Sequence, residues 1–395
     1  MISSLTILLV ITFFVLVLGV TQYFIHQKKL RQIPIRIHVN GTRGKSSVTR
    51  LIAAGLRSGG ISTCAKTTGT LPRMIMPDGK EYPIFRPGRA NIGEQLRIVE
   101  VAQTHNAKAL VIECMALQPS FQSVSELKMI KATHGVITNA RPDHLDVMGP
   151  TPEDVALALC GMVPKKAKLF TAEEKQKEII LSACKDRETQ MIKTGEEDVK
   201  NISDEEMKGF SYTEHKENVA LALKVCEDLG VARSKALQGM YEANPDPGVL
   251  RDYTLDFFGK KIYFANGFAA NDPDSTKTVW DMMVQKFPDA KKRILLFNCR
   301  ADRPERSLQF GESVSTWNNF DDIVLMGNGA YLFARSAMNA GIDYGKIHFA
   351  DDLPVEEIFE EIVSLISTTA LVVGIGNIGG DGLKMVQFFS NRSVG

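Results

Sequence analysis

No aspartate or glutamate precedes Asp78, whereas ten lysines and arginines do. The remainder of the 395 residues therefore carries 37 of the 47 basic residues and all 46 acidic ones. Such an acid-free segment suits anionic lipid, a phosphate site that also meets an acidic substrate, or both. The chain has no long basic stripe interleaved with aromatics, which argues against nucleic acid as a partner. Its six cysteines form no CxxC pair and no ligand cluster. That pattern excludes a zinc framework, fits a reducing compartment, and marks most of them as core thiols. Tandem repeats and low-complexity tracts are also missing.

Charge is missing from residues 5–24, LTILLVITFFVLVLGVTQYF. About 20 such residues match a hydrocarbon core of roughly 30 Å. His26, Lys28, Lys29 and Arg31 follow at once. Basic residues flank the cytoplasmic side, so the N-terminus is expected outside and the bulk of the chain in the cytoplasm. Residues 1–6 lack the basic start of a signal peptide, and residues 20–25 offer no cleavage site. The expectation is an uncleaved single-pass anchor in the cell membrane.

Beyond the anchor, short apolar runs alternate with helical periods. Strands are expected at 35–39, 61–65, 109–113, 135–139 and 168–171. Helices are expected at 46–56 and 92–105, and from 173 towards 184, then at 219–229 and 234–241. This alternation predicts an α/β domain with a mainly parallel sheet. The stretch ANPDPGVLRDY, 243–253, breaks regular structure. The α/β habit then resumes, with strands at 261–265, 293–297, 323–326, 346–349 and 370–374 and helices including 276–285 and 354–365. Three segments result: an anchor and basic flank at 1–31, a phosphate-binding central domain at 32–249 and a smaller α/β domain at 250–395.

HVNGTRGKSSVTR, 38–50, sits between an expected strand and an expected helix. Val39 occupies the first glycine of the full P-loop pattern, but Gly41, Gly44, Lys45 and Ser46 keep its working parts. Backbone N–H groups there cradle phosphate, Lys45 reaches the terminal phosphates, and Ser46 offers an oxygen to magnesium. Glu113 closes an otherwise apolar strand, where a carboxylate is costly unless paired or metal-bound. His144 lies past another strand end, in NARPDHLDVMG, and is a candidate for metal or phosphate. Its neighbours Asp143 and Asp146 either cap the following turn or orient the imidazole. Lys66, Thr67, Thr68, Arg86 and Arg89 form a second candidate set. They either hold carboxylates of an acidic substrate, for which the arginine fork is suited, or are ordinary solvated charge.

Taken together these stretches resemble the Mur ligase superfamily. GTRGKSS is similar to its GTNGKTT loop, and Glu113 to its magnesium-binding glutamate. TNARPDHLDVMG resembles its TN…DHLD signature, and HKENVALAL, with Asn218, its asparagine helix. GFAANDPDS, with Asn271, and FNCRADRPER, with Asp302 and Arg303, resemble two C-terminal segments. The resemblance implies a P-loop central ATPase domain followed by a Rossmann-like C-terminal domain. It implies ATP and Mg²⁺ as cofactors, held by Gly41, Thr42, Arg43, Gly44, Lys45, Ser46 and Ser47, with Asn218, Asn271, Asp302 and Arg303 completing the nucleotide site. Ser46, Glu113 and His144 are the implied metal set, and Lys45, Glu113 and His144 the implied catalytic set.

The membrane span leads straight into the ATP domain, and KTTGT, RPGRANIGEQ, VIECMALQP, NPDPG and NGFAANDP narrow the resemblance to the poly-γ-glutamate-forming branch. That branch implies an acid–amino acid ligase that forms γ-glutamyl bonds through an acyl phosphate. It also implies glutamate and the growing polymer as substrates, and two partners: a small multi-span membrane subunit and an extracytoplasmic anchored subunit. Residues 147–164 contain no lysine where many members carry a carbamylated one. Ala270 and Gly267 replace the histidine and aspartate of the C-terminal motif. A folylpolyglutamate-type ligase, or an ATP-dependent regulator of polymer export, is the alternative reading.

Overall fold

A computed structural model describes residues 3–69, 71–86, 90–246, 248–270 and 272–393. The chain forms two compact units, Met1–Pro245 and Asp246–Gly395. The sequence-based division at 249/250 falls just inside the second unit. The Asp246 carboxylate accepts the Gly248 N–H at 2.9 Å, so this turn closes on itself within that unit.

The first unit opens with α1 (Ser4–Gln32), one continuous helix whose first two-thirds are exposed. Its mean hydropathy over 18 residues is 2.6, and by length and composition it can cross a membrane. Its last turns belong to the core. Leu30 and Ile33 are buried against Ile98 and Val99 of α3 (Glu94–Thr104), and against Ile130 and Ala132. Arg36 fixes this junction. Its guanidinium donates to the carbonyls of Leu30, Ile33, Ile130 and Lys131 at 2.6–3.2 Å. These are mostly carbonyls that helix ends leave without a partner.

Eight strands form the sheet of this unit: β1 (Ile35–Asn40), β2 (Thr63–Lys66), β3 (Arg73–Ile75), β4 (Glu81–Pro83), β5 (Ala109–Glu113), β6 (His134–Ile137), β7 (Lys168–Thr171) and β8 (Gln190–Lys193). Their order is β4-β3-β2-β5-β1-β6-β7-β8. All pairs are parallel except β2–β3 and β3–β4. The β3–β4 hairpin and β8 were not among the expected strands. The three-residue β3 and β4 leave too short an alternation to read, and β8 is an edge strand with no fully buried residue. α2 (Lys45–Ser58) packs on one face with α4 (Lys216–Asp228) and α5 (Arg233–Tyr241), burying Leu51, Ile52, Leu56, Val219, Leu223 and Met240. β1 lies between β5 and β6, so the chain winds to one side through β2 and to the other through β6. In open α/β sheets that switch point, beyond the carboxyl ends of the strands, is where ligands bind.

The second unit holds six strands: β9 (Asp252–Phe257), β10 (Lys260–Asn266), β11 (Lys292–Cys299), β12 (Asp322–Gly327), β13 (Ile347–Asp351) and β14 (Thr369–Ile375). The order is β13-β12-β11-β14-β10-β9, with only β9 antiparallel. Helices on both faces cover it. Trp280, Phe310 and Phe333 fill one layer, and Phe359, Phe388 and Phe389 the other. All six cysteines are buried and unpaired, as core thiols should be.

Candidate active site

The Gly41–Gly44 loop joins β1 to α2 at the switch point. Gly41 has φ +131° and Gly44 φ +78°, a region that disfavours any side chain. A Cβ on Gly41 would stand 2.0 Å from Thr138 Oγ1, and one on Gly44 2.6 Å from Asn218 Oδ1. Both positions need glycine for space as well as for conformation.

Lys45 folds back over the loop. Its Nζ donates to the Gly41 carbonyl at 2.7 Å and the Thr42 carbonyl at 3.3 Å. The ammonium thus stands over a loop that runs into a helix start, where N–H groups without a helical partner suit an anion. Ser46 Oγ donates to Glu113 Oε2 at 2.9 Å, and the Thr68 N–H donates to the same oxygen at 2.7 Å. Glu113 is 2% exposed and aligns with Val39 in the β1–β5 register, so both strands deliver their ends to one place. Arg43 stands 3.7 Å from Asp143, and Asp143 stands 4.0 Å from His144 Nε2. His144 has a left-handed backbone and starts the short helix Leu145–Met148. Ser47 lies in the first turn of α2.

The structure therefore brings together the loop, Lys45, Ser46, Glu113, Thr68 and Asn218. Among the described residues no group of three or more His, Cys, Asp or Glu side chains is arranged to hold a metal. The closest protein set for a cation is the Ser46–Glu113 oxygen pair. That suits magnesium, which takes few protein ligands and fills its octahedron with phosphate and water.

Sequence reasoning missed the residues that hold this loop. The Thr42 N–H donates to the Asn139 carbonyl at 3.0 Å, and the Thr42 hydroxyl to Asn139 Oδ1 at 2.7 Å. The Arg43 N–H donates to Asn139 Oδ1 at 3.1 Å, and the Thr138 hydroxyl to the Arg43 carbonyl at 2.5 Å. Thr138 and Asn139 are the TN of the signature stretch, so the signal was there, attached to a different job. Glu214, buried, orients Asn218 by accepting from its Nδ2 at 2.9 Å.

Lys66 and Arg86 of the second candidate set are not solvated charge. Lys66 is fully buried, with Nζ 2.9 Å from Glu94 Oε1. Arg86 grips the same carboxylate through Nε at 2.6 Å and Nη2 at 3.1 Å. Burial alone would raise the Glu94 pKa. Arg86 and Lys66 outweigh it and bring the carboxyl down to about 2. Burial lowers that of Lys66, against the pull of Glu94. Thr67 is buried and its N–H donates to the Arg73 carbonyl. Arg89 and Asn271 lie outside the described residues.

In the second unit, Asp302 is held by Arg300, Nε to Oδ1 at 2.9 Å and Nη2 to Oδ2 at 2.7 Å, while Arg303 starts the helix Pro304–Ser313. A buried amide pair closes the carboxyl ends of β11 and β14. Asn298 Nδ2 donates to the Asn377 carbonyl at 2.5 Å, and Asn377 Nδ2 returns to the Asn298 carbonyl at 2.9 Å.

Residues 39–241 match the Mur ligase middle domain family. Residues 253–392 match the family described as poly-gamma-glutamate synthase CapB C-terminal domain. The capsule biosynthesis protein CapB of Bacillus anthracis is 35% identical over 97% of this chain and 82% of its own length. PGA synthase CapB of Bacillus subtilis is 34% identical over 94% of each. Among solved structures, a bifunctional folylpolyglutamate synthase/dihydrofolate synthase of Yersinia pestis, complexed with AMPPNP and Mn, has a TM-score of 0.67 at 12% identity. It covers 94% of this chain and 92% of that one, a likeness of fold. The folylpolyglutamate synthase of Mycobacterium tuberculosis, complexed with ADP, has a TM-score of 0.66 at 15% identity, covering 95% and 94%. With both sequence relatives matched along nearly the whole chain, this protein belongs to the CapB family of poly-γ-glutamate synthases, on a Mur ligase fold.

Proposed function

We propose that this chain is an ATP-dependent ligase that builds γ-glutamyl amide bonds of poly-γ-glutamate. The observation that carries the reading is the Lys45–Ser46–Glu113 arrangement at a glycine loop, in a chain of this family. Lys45 and the N–H groups at the start of α2 hold the triphosphate. Ser46, Glu113 and His144 would hold magnesium. Magnesium, when bound, supplies positive charge to the phosphate oxygens.

A γ-carboxylate oxygen attacks the γ-phosphorus and ADP leaves, giving an acyl phosphate. The amine of a second glutamyl unit attacks the acyl carbon. The C–O bond to phosphate breaks, inorganic phosphate departs, and the amine proton passes to solvent. Lys45, freed from the Gly41 carbonyl, stabilises the charge that develops on the transferring group. Asn218 supports the glycine loop from below. From the second unit, Asn271, Asp302 and Arg303 are assigned to the nucleotide.

α1 is assigned as a single-pass anchor with the catalytic units cytoplasmic. One helix cannot enclose a polar conduit for a polyanion, since a pore needs several helices or a barrel. Membrane partners are therefore proposed, and the family resemblance implies a small multi-span subunit and an extracytoplasmic anchored subunit. The test is ATP turnover by the membrane-bound protein with each amino acid in turn. ADP and phosphate released only with glutamate, alongside a γ-linked oligomer, are expected. Turnover that ignores glutamate and yields no amide would favour a regulator of export.

A further inference from the structure

We propose that Glu94 is a positioning residue for substrate recognition: it aims Arg86 at the α-carboxylate of the glutamyl substrate. The inference rests on the ligase reading above. Lys66, Glu94 and Arg86 put two cations on one carboxylate. The triad thus keeps a surplus positive charge. It lies close to Thr68 and Glu113, because Lys66 ends β2 only two residues before the N–H that binds Glu113. Lys66 is wholly enclosed and Glu94 almost so, whereas the Arg86 side chain is 22% exposed. Glu94 engages Nε and Nη2, the edge of the guanidinium next to the chain. Among the described residues Nη1, on the other edge, makes no hydrogen bond. An arginine held on one edge presents the rest of its fork in a fixed direction.

A second observation points the same way. Thr67 and Gln95, the neighbours of Lys66 and Glu94 in sequence, are fully buried. Thr67 Oγ1 and both amide atoms of Gln95 have no partner among the described residues. Buried polar atoms without partners are rare and costly, and these three directly follow the two buried members of the triad in the chain. The substrate class follows from the reaction. The γ-carboxylate is consumed at the phosphate. The α-carboxylate is unchanged throughout and is carried by free glutamate and by the chain end alike. It is the group that a fixed guanidinium can read in every cycle.

The test compares glutamate with isoglutamine, its α-amide, as substrates for Glu94→Gln and Arg86→Ala in the membrane-bound enzyme. Each variant is expected to raise the KM for glutamate about tenfold and to cut the preference for glutamate over isoglutamine by a similar factor. The KM for ATP should stay within about twofold of wild type. Wild-type glutamate KM and preference in both variants overturn the proposal. So does a parallel loss of ATP and glutamate binding in both, which is what a purely structural role gives. In either case a γ-linked product from the wild type leaves the ligase reading standing, whereas no glutamate-dependent product from the wild type removes both.

Discussion

Lys45 donates to the Gly41 carbonyl at 2.7 Å, which holds its ammonium over the glycine loop. Lys45→Ala should reduce turnover roughly a thousandfold, the scale of losing one preorganised charge, with circular dichroism unchanged. Ser46→Ala should leave the fold intact and shift the magnesium titration upward. An unchanged titration would remove Ser46 from the metal set. His38 carries a different kind of prediction. Its Nδ1 lies 2.8 Å from Glu126 Oε2, both fully buried on the far side of the same strand end. Burial would lower the His38 pKa, but Cys114 and Glu126 outweigh it and raise it to about 9. A folded pKa above the unfolded value near 6.5 means that the pair's contribution is complete below about pH 6.5. It declines as pH rises and is lost through pH 9. The midpoint of thermal unfolding should fall over that window in wild type and fall less in His38→Asn.

At the scale of elements, the glycine loop is a product of two strands. β1 delivers it, and the end of β6 fastens it through Thr138 and Asn139. Gly41→Ala has no room at 2.0 Å from Thr138 Oγ1, so nucleotide binding should be lost while the sheet remains. The loop was legible because glycine, lysine and serine at that spacing have few other uses. The fastening was not, because hydrogen bonds between segments about a hundred residues apart leave no local pattern. The Lys66–Glu94–Arg86 triad shows the same limit. Lys66 stood out in an acid-free stretch and Arg86 in RPGRANIGEQ, but the carboxylate that claims them starts a helix and reads as ordinary helix surface. α1 is the other instructive element. Its apolar run was plain in sequence, whereas the docking of its last turns was hidden by the lysines among them. Ile33→Ala should destabilise the first unit by about 2–5 kcal/mol, the usual cost of truncating a fully buried aliphatic side chain, measured by denaturant unfolding in detergent.

For the whole molecule, α1 and the first sheet are built as one piece. The Arg36 guanidinium ties the end of α1 to the start of β1, and β1 runs into the phosphate loop. A fragment beginning at residue 25 should fold. One beginning at residue 35 should lose the Leu30 and Ile33 contacts and unfold at lower denaturant. The second unit was legible as alternating strands and helices. Its antiparallel edge strand β9 was not, since DYTLDF lies next to the proline-rich break and shares its polarity. The measurement that bears most directly on the central claim is ATP hydrolysis by the membrane-bound protein, with and without glutamate, paired with mass spectrometry of the product. ADP and phosphate that appear only with glutamate, together with γ-linked oligomers, are the predicted result. Hydrolysis that is indifferent to glutamate and leaves no amide would contradict the account.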